Sequence, residues 1–541
     1  MTSAQGMPVA RWTAWGLLAL IVVLTGYRFW LVAHSGITLF VDEAQYWDWA
    51  RELAWGYYSK PPVIAWLIAA SIQVLGDGLL GVKAAGMLLY PLTTLAVWGC
   101  GRAMFGPRAG AIAALAFVTA PLTGLLGLFV STDAPLLLCW AVATWAGWLA
   151  LGPAPMVDAD EPGDAAQHWG AWVVLGAALG LGVLSKYTMV AIVPGLLWAL
   201  WAWGPRGAGW AAWRARLAGA LLASLIAIGW VLPHLLWNLN NGAPTLRHTM
   251  EITATAHRAG GLPALAEFLA SQTLLLGPVA TLALVLAAWR GWRRRRAVAG
   301  PAEPLALARS SAAEALSARS VAVRNVGVQR DELRYLLVLA LPLLGLAIAQ
   351  SINAHAHMNW AAPAYLSAVL LLGRVLQGRP RWLLATVLFN LLAVALVTHA
   401  ADLARLASRP LPSQWDALVR MRGHDRAFAD LRPVMQAHAA WPVVSGDRQL
   451  LSQAAYQWRD LGVRPRAWNP EHRADNHYQL STELESLRGR DVLFLSEEPL
   501  PPPVLARFGS VLEVLQSRVE VAPRRIVTVR LYVLHDFQGY R

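Results

Sequence analysis

Cysteine is nearly absent: the 541 residues contain two, Cys100 and Cys139, both inside apolar runs. A disulfide framework is thereby excluded, and both read as inert buried thiols. Lysine is almost as scarce. Of 45 basic residues only Lys60, Lys83 and Lys186 are lysines, and the rest are arginines. Charge of either sign is thin, at 14% of the chain against 57% hydrophobic residues, with a mean hydropathy of +0.43. That balance excludes an ordinary soluble protein. The formal net charge of +13 does not imply nucleic acid. The arginines gather in short loops between apolar runs, the pattern of cytoplasmic loops in membrane proteins. No G-x-x-x-x-G-K-[ST], no G-x-G-x-x-G in a strand–helix setting and no H-E-x-x-H is found, which argues against a nucleotide-driven pump. A cleavable signal is not evident either, because the first apolar run is long enough to remain as an anchor.

What is there is a succession of apolar runs, at 12–33, 79–100, 109–127, 134–151, 171–185, 187–203, 217–238, 271–289, 334–351, 361–377 and 382–400. About 20 apolar residues cross a bilayer. The runs therefore predict a polytopic α-helical membrane protein with about eleven spans, within a range of about 10–13. The 28 tryptophans fit the membrane interfaces. Basic clusters lie at Arg102 and Arg108, at Arg206, Arg214 and Arg216, in the loop 290–333 that starts with Arg293 to Arg296, and at Arg374, Arg379 and Arg381. Counting spans puts all four on the side of the N-terminus, which is then cytoplasmic. The segment after residue 400 then lies outside. The stretch 297–330 is expected to be partly disordered.

The polar residues with chemical potential fall on the opposite, outer side. Residues 35–76 form a first outer loop, with amphipathic helices lying in the interface over 42–76. Residues 401–541 carry more charge and proline. There Pro442–Ser445, Asp491–Leu495 and Ile526–Val529 read as buried strands and Leu450–Leu461 as a helix, predicting a small soluble α/β domain outside the membrane. The division is thus 1–400, membrane part, and 401–541, outer domain.

In Val41-Asp42-Glu43-Ala44-Gln45-Tyr46-Trp47 two carboxylates follow a hydrophobic span, where ionised groups are costly and often functional. A helix over 42–53 places Asp42, Tyr46 and Trp49 on one face and turns Glu43 about 100° away. Asp42 is suited to act as base on a hydroxyl, and Glu43 to orient Lys60 or a sugar hydroxyl. The bland reading is a helix start stabilised by acidic groups. Lys60, followed by Pro61-Pro62, is a compact charge that suits a phosphate oxygen; snorkelling is the alternative. Lys186-Tyr187 at a short outer turn, with snorkelling again the alternative for the lysine, and Arg247-His248 in the segment 239–270 are candidate phosphate and substrate contacts. Asp133, in Ser131-Thr132-Asp133-Ala134-Pro135, is either a second acid facing Asp42 or a helix cap. His355 and His357 form an H-x-H pair without an evident third ligand, so no metal residue is assigned. His355 and His357, with Tyr46, Tyr57, Tyr58 and Asn359, complete the expected substrate-binding set. Arg28, near the outer end of the first span, is expected to snorkel.

Val41–Trp47 together with Gly56-Tyr57-Tyr58-Ser59-Lys60-Pro61-Pro62 resembles the first outer loop of bacterial GT-C membrane glycosyltransferases, in particular family 39 and its relatives, the protein mannosyltransferases and the lipid A aminoarabinose transferases. Ser131–Pro135, Leu184-Ser185-Lys186-Tyr187 and Asn359-Trp360-Ala361-Ala362-Pro363 extend the likeness over most of 12–400. Ser445-Gly446-Asp447-Arg448-Gln449 and Trp468-Asn469-Pro470 are similar to the tails of bacterial members. The resemblance implies a GT-C fold, a polyprenyl-phosphate sugar donor, transfer on the outer face with inversion, and roles for Asp42 (catalytic acidic residue), Lys60 (donor phosphate) and Asp133 (second acidic residue). No MIR-type domain is seen, and Ser59 precedes Lys60 where aminoarabinose transferases carry an acidic residue. No cofactor is required, and a divalent metal is left open. The expected partners are the polyprenyl-phosphate sugar, an envelope lipid or glycan acceptor and membrane lipids. A protein O-glycosyltransferase, a ligase for whole glycans and a transporter of lipid-linked substrate are the competing readings.

Overall fold

The structure is a computed structural model that describes residues 7–152, 168–204, 209–254, 260–298, 312–482 and 484–540. Helices dominate: α1 (Met7–His34), α2 (Val41–Ala50), α3 (Val63–Leu75), α4 (Leu79–Met87), α5 (Leu89–Phe105), α6 (Pro107–Thr119), α7 (Pro121–Leu126), α8 (Asp133–Leu151), α9 (Trp169–Ser185), α10 (Val193–Ala202), α11 (Gly209–Asn240) and α12 (Pro244–Ala254). They continue with α13 (Leu262–Leu276), α14 (Pro278–Val298), α15 (Ala312–Asn353), α16 (Ala364–Leu376), α17 (Pro380–Thr398), α18 (Ala400–Leu406), α19 (His424–Ala437) and α20 (Arg448–Gln457). α15 thus begins inside the stretch expected to be partly disordered. The section 299–311 of that stretch lies outside the described residues.

The chain is a multi-pass membrane protein, but the expected eleven full-length spans are not established. Among the described residues six helices are long and apolar enough to cross a bilayer: Ala14–His34, Leu79–Phe105, Asp133–Leu151, Ala212–Asn240, Arg330–Asn353 and Pro380–Thr398. The α13–α14 pair, bent by 103°, makes a seventh if counted as one span. The bend falls at Gly277, whose φ of 94° is open to glycine, directly before Pro278. Over 109–127, 171–185, 187–203 and 361–377 the helices are short and apolar. An apolar run records what a segment avoids, not how long its helix is.

The main core is shared by α5, α6, α8, α9, α15 and α16, with Phe117, Trp140 and Tyr335 fully buried. Tyr335 donates to the Thr144 carbonyl at 2.9 Å, fastening α15 to α8. After residue 440 the chain builds a five-stranded sheet: β1 (Val443–Ser445), β2 (Arg466–Ala467), β3 (Val492–Ser496), β4 (Phe508–Ala522) and β5 (Arg525–Phe537). The order is β2-β1-β3-β5-β4, with β1 parallel to β2 and β3, and β5 antiparallel to β3 and β4. β1, β3 and β5 match the expected strands, and α20 is the expected helix. β2 and β4 were not foreseen.

The sheet is tied to the segment 35–76. Tyr456 of α20 is buried among Trp47, Trp49 and Tyr57, and its ring meets Trp47 edge-on at 5.2 Å. Gln453 donates to the Leu39 carbonyl at 2.9 Å, Gln457 to Thr38 Oγ1 at 3.1 Å, and Thr38 N to the Met421 carbonyl at 2.6 Å.

One buried ion pair fixes the start of α2. Glu43 is 1% exposed and Lys83, on α4, is 0% exposed. Lys83 Nζ donates to Glu43 Oε1 at 2.7 Å and Oε2 at 2.6 Å, and to the Leu128 carbonyl at 3.0 Å. Glu43 also accepts from Phe40 N at 2.7 Å, capping its own helix, and from Val130 N at 2.6 Å. Gly86 permits the approach: a Cβ there would sit 3.0 Å from the Phe129 carbonyl oxygen. Every lone pair in the clamp is used, which is the condition under which a buried pair repays its desolvation. Glu43→Gln and Lys83→Met should each cost about 3–5 kcal/mol, and the double variant should regain part of it. Thermal unfolding of the purified protein tests this; unchanged melting in both single variants would dismiss the clamp.

Candidate active site

α2 begins where Phe40 is extended and Glu43 caps. It ends at Ala50, three residues short of the expected end. The Tyr57 hydroxyl reaches the carbonyls of Trp49 at 3.0 Å and Glu52 at 3.1 Å and accepts from Ala54 N at 3.1 Å, satisfying the groups that a continuing helix would use. Within α2 the i, i+4, i+7 stripe holds: Tyr46 and Trp49 are buried, their rings 5.1 Å apart. The Asp42 carboxylate, on the same stripe, remains 41% exposed.

Asp42 is held by a residue from the far end of the chain. Arg448 Nη1, in the first turn of α20, donates to Asp42 Oδ1 at 2.8 Å and to Gln45 Oε1 at 2.6 Å. α20 is capped by Asp447, which accepts from Gln449 N, and Ser445 Oγ, at the end of β1, accepts from Asp447 N at 3.1 Å. The sheet therefore aims Arg448 at α2. Among the described residues, Asp42 Oδ2 has no partner.

Asp133 heads α8 and is buried. Its Oδ1 accepts from Lys186 Nζ at 2.7 Å and its Oδ2 from Asn359 Nδ2 at 2.7 Å. Lys186 caps α9 in an extended conformation, and Asn359 lies in a short 3-10 turn, Met358–Ala361. Both readings of Asp133, helix start and member of a polar cluster, thus describe one arrangement.

Lys60 follows a turn in which Tyr57 N donates to the Lys60 carbonyl at 3.3 Å and Thr245 Oγ1 donates to the Tyr57 carbonyl at 2.6 Å. Burial pushes its pKa down, Lys186 beside it adds to this, and Asp42 and Asp133 oppose it. Among the described residues no hydrogen-bond acceptor or carboxylate is bonded to its ammonium. His248 on α12 lies against Tyr58, ring centroids 5.2 Å apart. Burial, then Lys60, lowers the His248 pKa, so the ring is neutral near pH 7. Lys60, Lys186 and Arg448 thus face two carboxylates, Asp42 and Asp133, and the surplus is one positive charge.

The structure brings together Asp42, Lys60, Asp133, Lys186, Tyr46, Asn359, Tyr58 and His248. Others of the expected set stand elsewhere. Glu43 is not available for chemistry: it faces Lys83, not Lys60, with its oxygens fully engaged. Tyr57 is buried, stacked on Trp49 at 4.6 Å, and its hydroxyl serves the backbone. The Tyr187 hydroxyl is bound to His234 Nε2 at 2.6 Å, and His234 Nδ1 to the Trp55 carbonyl at 2.6 Å, a bridge between the helices and the first loop. Arg247 is exposed, and among the described residues no hydrogen bond or ion pair joins it to the cluster. His355 and His357 pack on each other at 5.4 Å, and His357 on Trp360 at 5.6 Å. Among the described residues no three His, Cys, Asp or Glu side chains form a metal-holding group. Arg448 and Gln45 were missed, although both sit in the motifs quoted for the family likeness.

Comparison with known proteins adds the following. Residues 59–237 match the family model described as dolichyl-phosphate-mannose-protein mannosyltransferase. The chain is 26% identical over 483 residues to the lipid A galacturonosyltransferase RgtD of Rhizobium johnstonii, covering 88% of this chain and 90% of the relative. It is 27% identical over 237 residues to the undecaprenyl phosphate-alpha-4-amino-4-deoxy-L-arabinose arabinosyl transferase of Edwardsiella ictaluri, covering 40% of each. Its fold is that of ArnT from Cupriavidus metallidurans bound to undecaprenyl phosphate: TM-score 0.59, 17% identity, 96% of this chain and 98% of the other covered.

The scarcity of lysine allows a direct test of the site's electrostatics. As pH rises, the Lys60 ammonium should lose its proton below the ordinary lysine value of 10.5, because burial favours the neutral form. Protein carrying 13C-methylated lysines should show an NMR signal with that behaviour, absent in Lys60→Arg. Titration of Lys60 at or above the ordinary value would contradict the buried environment.

Proposed function

For a chain that is a GT-C membrane glycosyltransferase, we propose an inverting transfer of one monosaccharide from undecaprenyl phosphate to lipid A or another cell-envelope glycan. The reaction is placed on the outer face of the bacterial plasma membrane, with the N-terminus cytoplasmic. Residues 1–400 are the catalytic membrane part, and 401–541 an outer α/β domain that supplies Arg448. The observation that carries this reading is the half-buried Lys60 beside two carboxylates, its ammonium bonded to neither among the described residues. It suits a phosphate leaving group beside a base. The names of the relatives, a lipid A transferase and an undecaprenyl-phosphate arabinosyl transferase, supply the acceptor and donor classes.

Asp42 Oδ2 takes the proton of the acceptor hydroxyl as general base, while Arg448 holds Oδ1 and fixes the carboxylate plane. The acceptor oxygen attacks the anomeric carbon as the bond from that carbon to the phosphate oxygen breaks. The electron pair leaves with undecaprenyl phosphate, and Lys60 and Lys186 meet the charge that develops there. Asp133 and Asn359 position Lys186. A lipid phosphate is a competent leaving group, so no step calls for a nucleotide or a metal. The description of the matched family model favours a second acceptor, a protein hydroxyl.

The experiment supplies purified protein in lipid with a panel of undecaprenyl-phosphate monosaccharides and with lipid A, lipopolysaccharide or secreted protein as acceptor. Undecaprenyl phosphate and labelled acceptor are followed by mass spectrometry. Asp42→Asn should lower release by about 10²–10⁴-fold, and Lys60→Met by about 10²–10³-fold, both with unchanged folding. Undiminished release in Asp42→Asn would remove it as the base. No release from any donor would favour the transporter or whole-glycan ligase. Arg448→Met should lower turnover more than it raises the KM for donor, since it acts through Asp42; a pure KM effect would assign it to donor binding instead.

A further inference from the structure

Arg28 takes no part in the chemistry above, and its surroundings are unusual for a charge in a membrane helix. It lies six residues before His34, the last residue of α1, so about 9 Å of helix separates it from that end. The side chain does not snorkel as expected; it is 4% exposed. Nη2 donates a long bond to the Val118 carbonyl at 3.4 Å. Nη1 is buried without a hydrogen-bond partner. Among the described residues no carboxylate pairs with the guanidinium.

Two further hydroxyls near it are buried and, among the described residues, unpaired: that of Tyr90, whose ring centroid is 6.0 Å from Arg28 Cζ, and that of Thr123, whose carbonyl faces Gly127 as Arg28 Nε does. Arg28 and Gly124 both line a cavity of about 70 Å³ between α1, α6, α7 and α17. Tyr27, Thr119 and Thr398 line it too, their hydroxyls bonded to His399 Nε2 and to the Leu115 and Val394 carbonyls, and the other side chains of the wall, such as Leu24, Val118, Leu391 and Val394, are apolar. A guanidinium only donates, and hydroxyls can. The cavity therefore holds a cation with an unused donor, and no carboxylate is among its lining residues. An unpaired cation at this depth is costly, and a small anionic group removes the cost.

We propose that this cavity holds the phosphate of an anionic glycerophospholipid of the bilayer, with Arg28 as its counter-ion. The volume suits a phosphate and not an acyl chain. The chains have a path outside it, along exposed Val22 and Val23 of α1 and Leu388 and Leu392 of α17. Tyr27 closes one rim, its hydroxyl bound to His399 Nε2 at 2.6 Å just past α17. A bilayer lipid fits better than a passing substrate, because the buried charge needs its counter-ion in the resting protein as well. The site is independent of the donor reading: it involves neither Lys60 nor Asp42.

The test is native mass spectrometry of the full chain, delipidated in neutral detergent and titrated with phosphatidylglycerol, phosphatidylcholine, undecaprenyl phosphate or inorganic phosphate. The native protein should retain one phosphatidylglycerol in preference to phosphatidylcholine. Arg28→Met should weaken this about tenfold or more, and Lys60→Met should not. Thr123→Val and Arg28→Lys, milder changes, should weaken it less, and they carry the comparison if Arg28→Met does not fold. Equal retention by native protein, Arg28→Met, Arg28→Lys and Thr123→Val would overturn the proposal. So would inorganic phosphate binding as tightly as the lipid, or undecaprenyl phosphate displacing phosphatidylglycerol in an Arg28-dependent way.

Discussion

The bond between Glu43 and Lys83 sets the position of almost everything that matters in this protein. Glu43 stands next to Asp42, and its third partner, Val130 N, lies three residues before Asp133. A single carboxylate therefore spaces the two acidic residues of the cluster, one on α2 and one at the head of α8. Such a clamp is costly to desolvate and tolerates no missing partner. In exchange it defines one geometry, where apolar packing alone leaves helices freer to slide.

Around that fixed point the cluster is assembled from separate lengths of chain. α2 presents Asp42, the turn after it Lys60, the end of α9 Lys186, a short turn before α16 Asn359, and α20 Arg448. Each is anchored by backbone bonds that have nothing to do with chemistry: Tyr57 ends α2, Thr245 holds the turn, Asp447 caps α20. Rigid supports of this kind pair Asp42 with Arg448 and Asp133 with Lys186 and hold Lys60 apart from both pairs. Lys60, the cation without a partner in the cluster, remains available because its neighbours are already engaged.

The sequence made Asp42, Lys60 and Asp133 visible for definite reasons. Lysine is rare, acidic residues beside spans are costly, and the motifs around them repeat a known order. It could not tell which of two adjacent carboxylates faces inward, because a turn of 100° does not say which face is buried; Glu43 and Asp42 differ only in that. Tyr57 looked like a binding aromatic because its role in ending a helix depends on where Trp49 and Glu52 fall in space. Arg448 was one arginine among many, 406 positions from Asp42. β4 escaped because Phe508–Ala522 alternates with polar residues and lies largely exposed at the sheet edge. The membrane part was legible in kind, since hydropathy marks what enters the bilayer, and not in detail, since helix lengths depend on glycine and proline breaks such as that at Gly277.

The distance between Asp42 and Arg448 has a temporal side. At about 5–20 residues per second, the ribosome needs roughly 20–80 s to pass from one to the other. For that interval the nascent helices sit in the bilayer without their last charged group. A chain released early, before α20, carries Asp42 and Lys60 but leaves the carboxylate unheld and the aromatic face of α2 uncovered. Completion of synthesis is thus also the moment of assembly, and a fragment made by premature termination is marked by the exposed Trp47 side chain that Tyr456 otherwise covers.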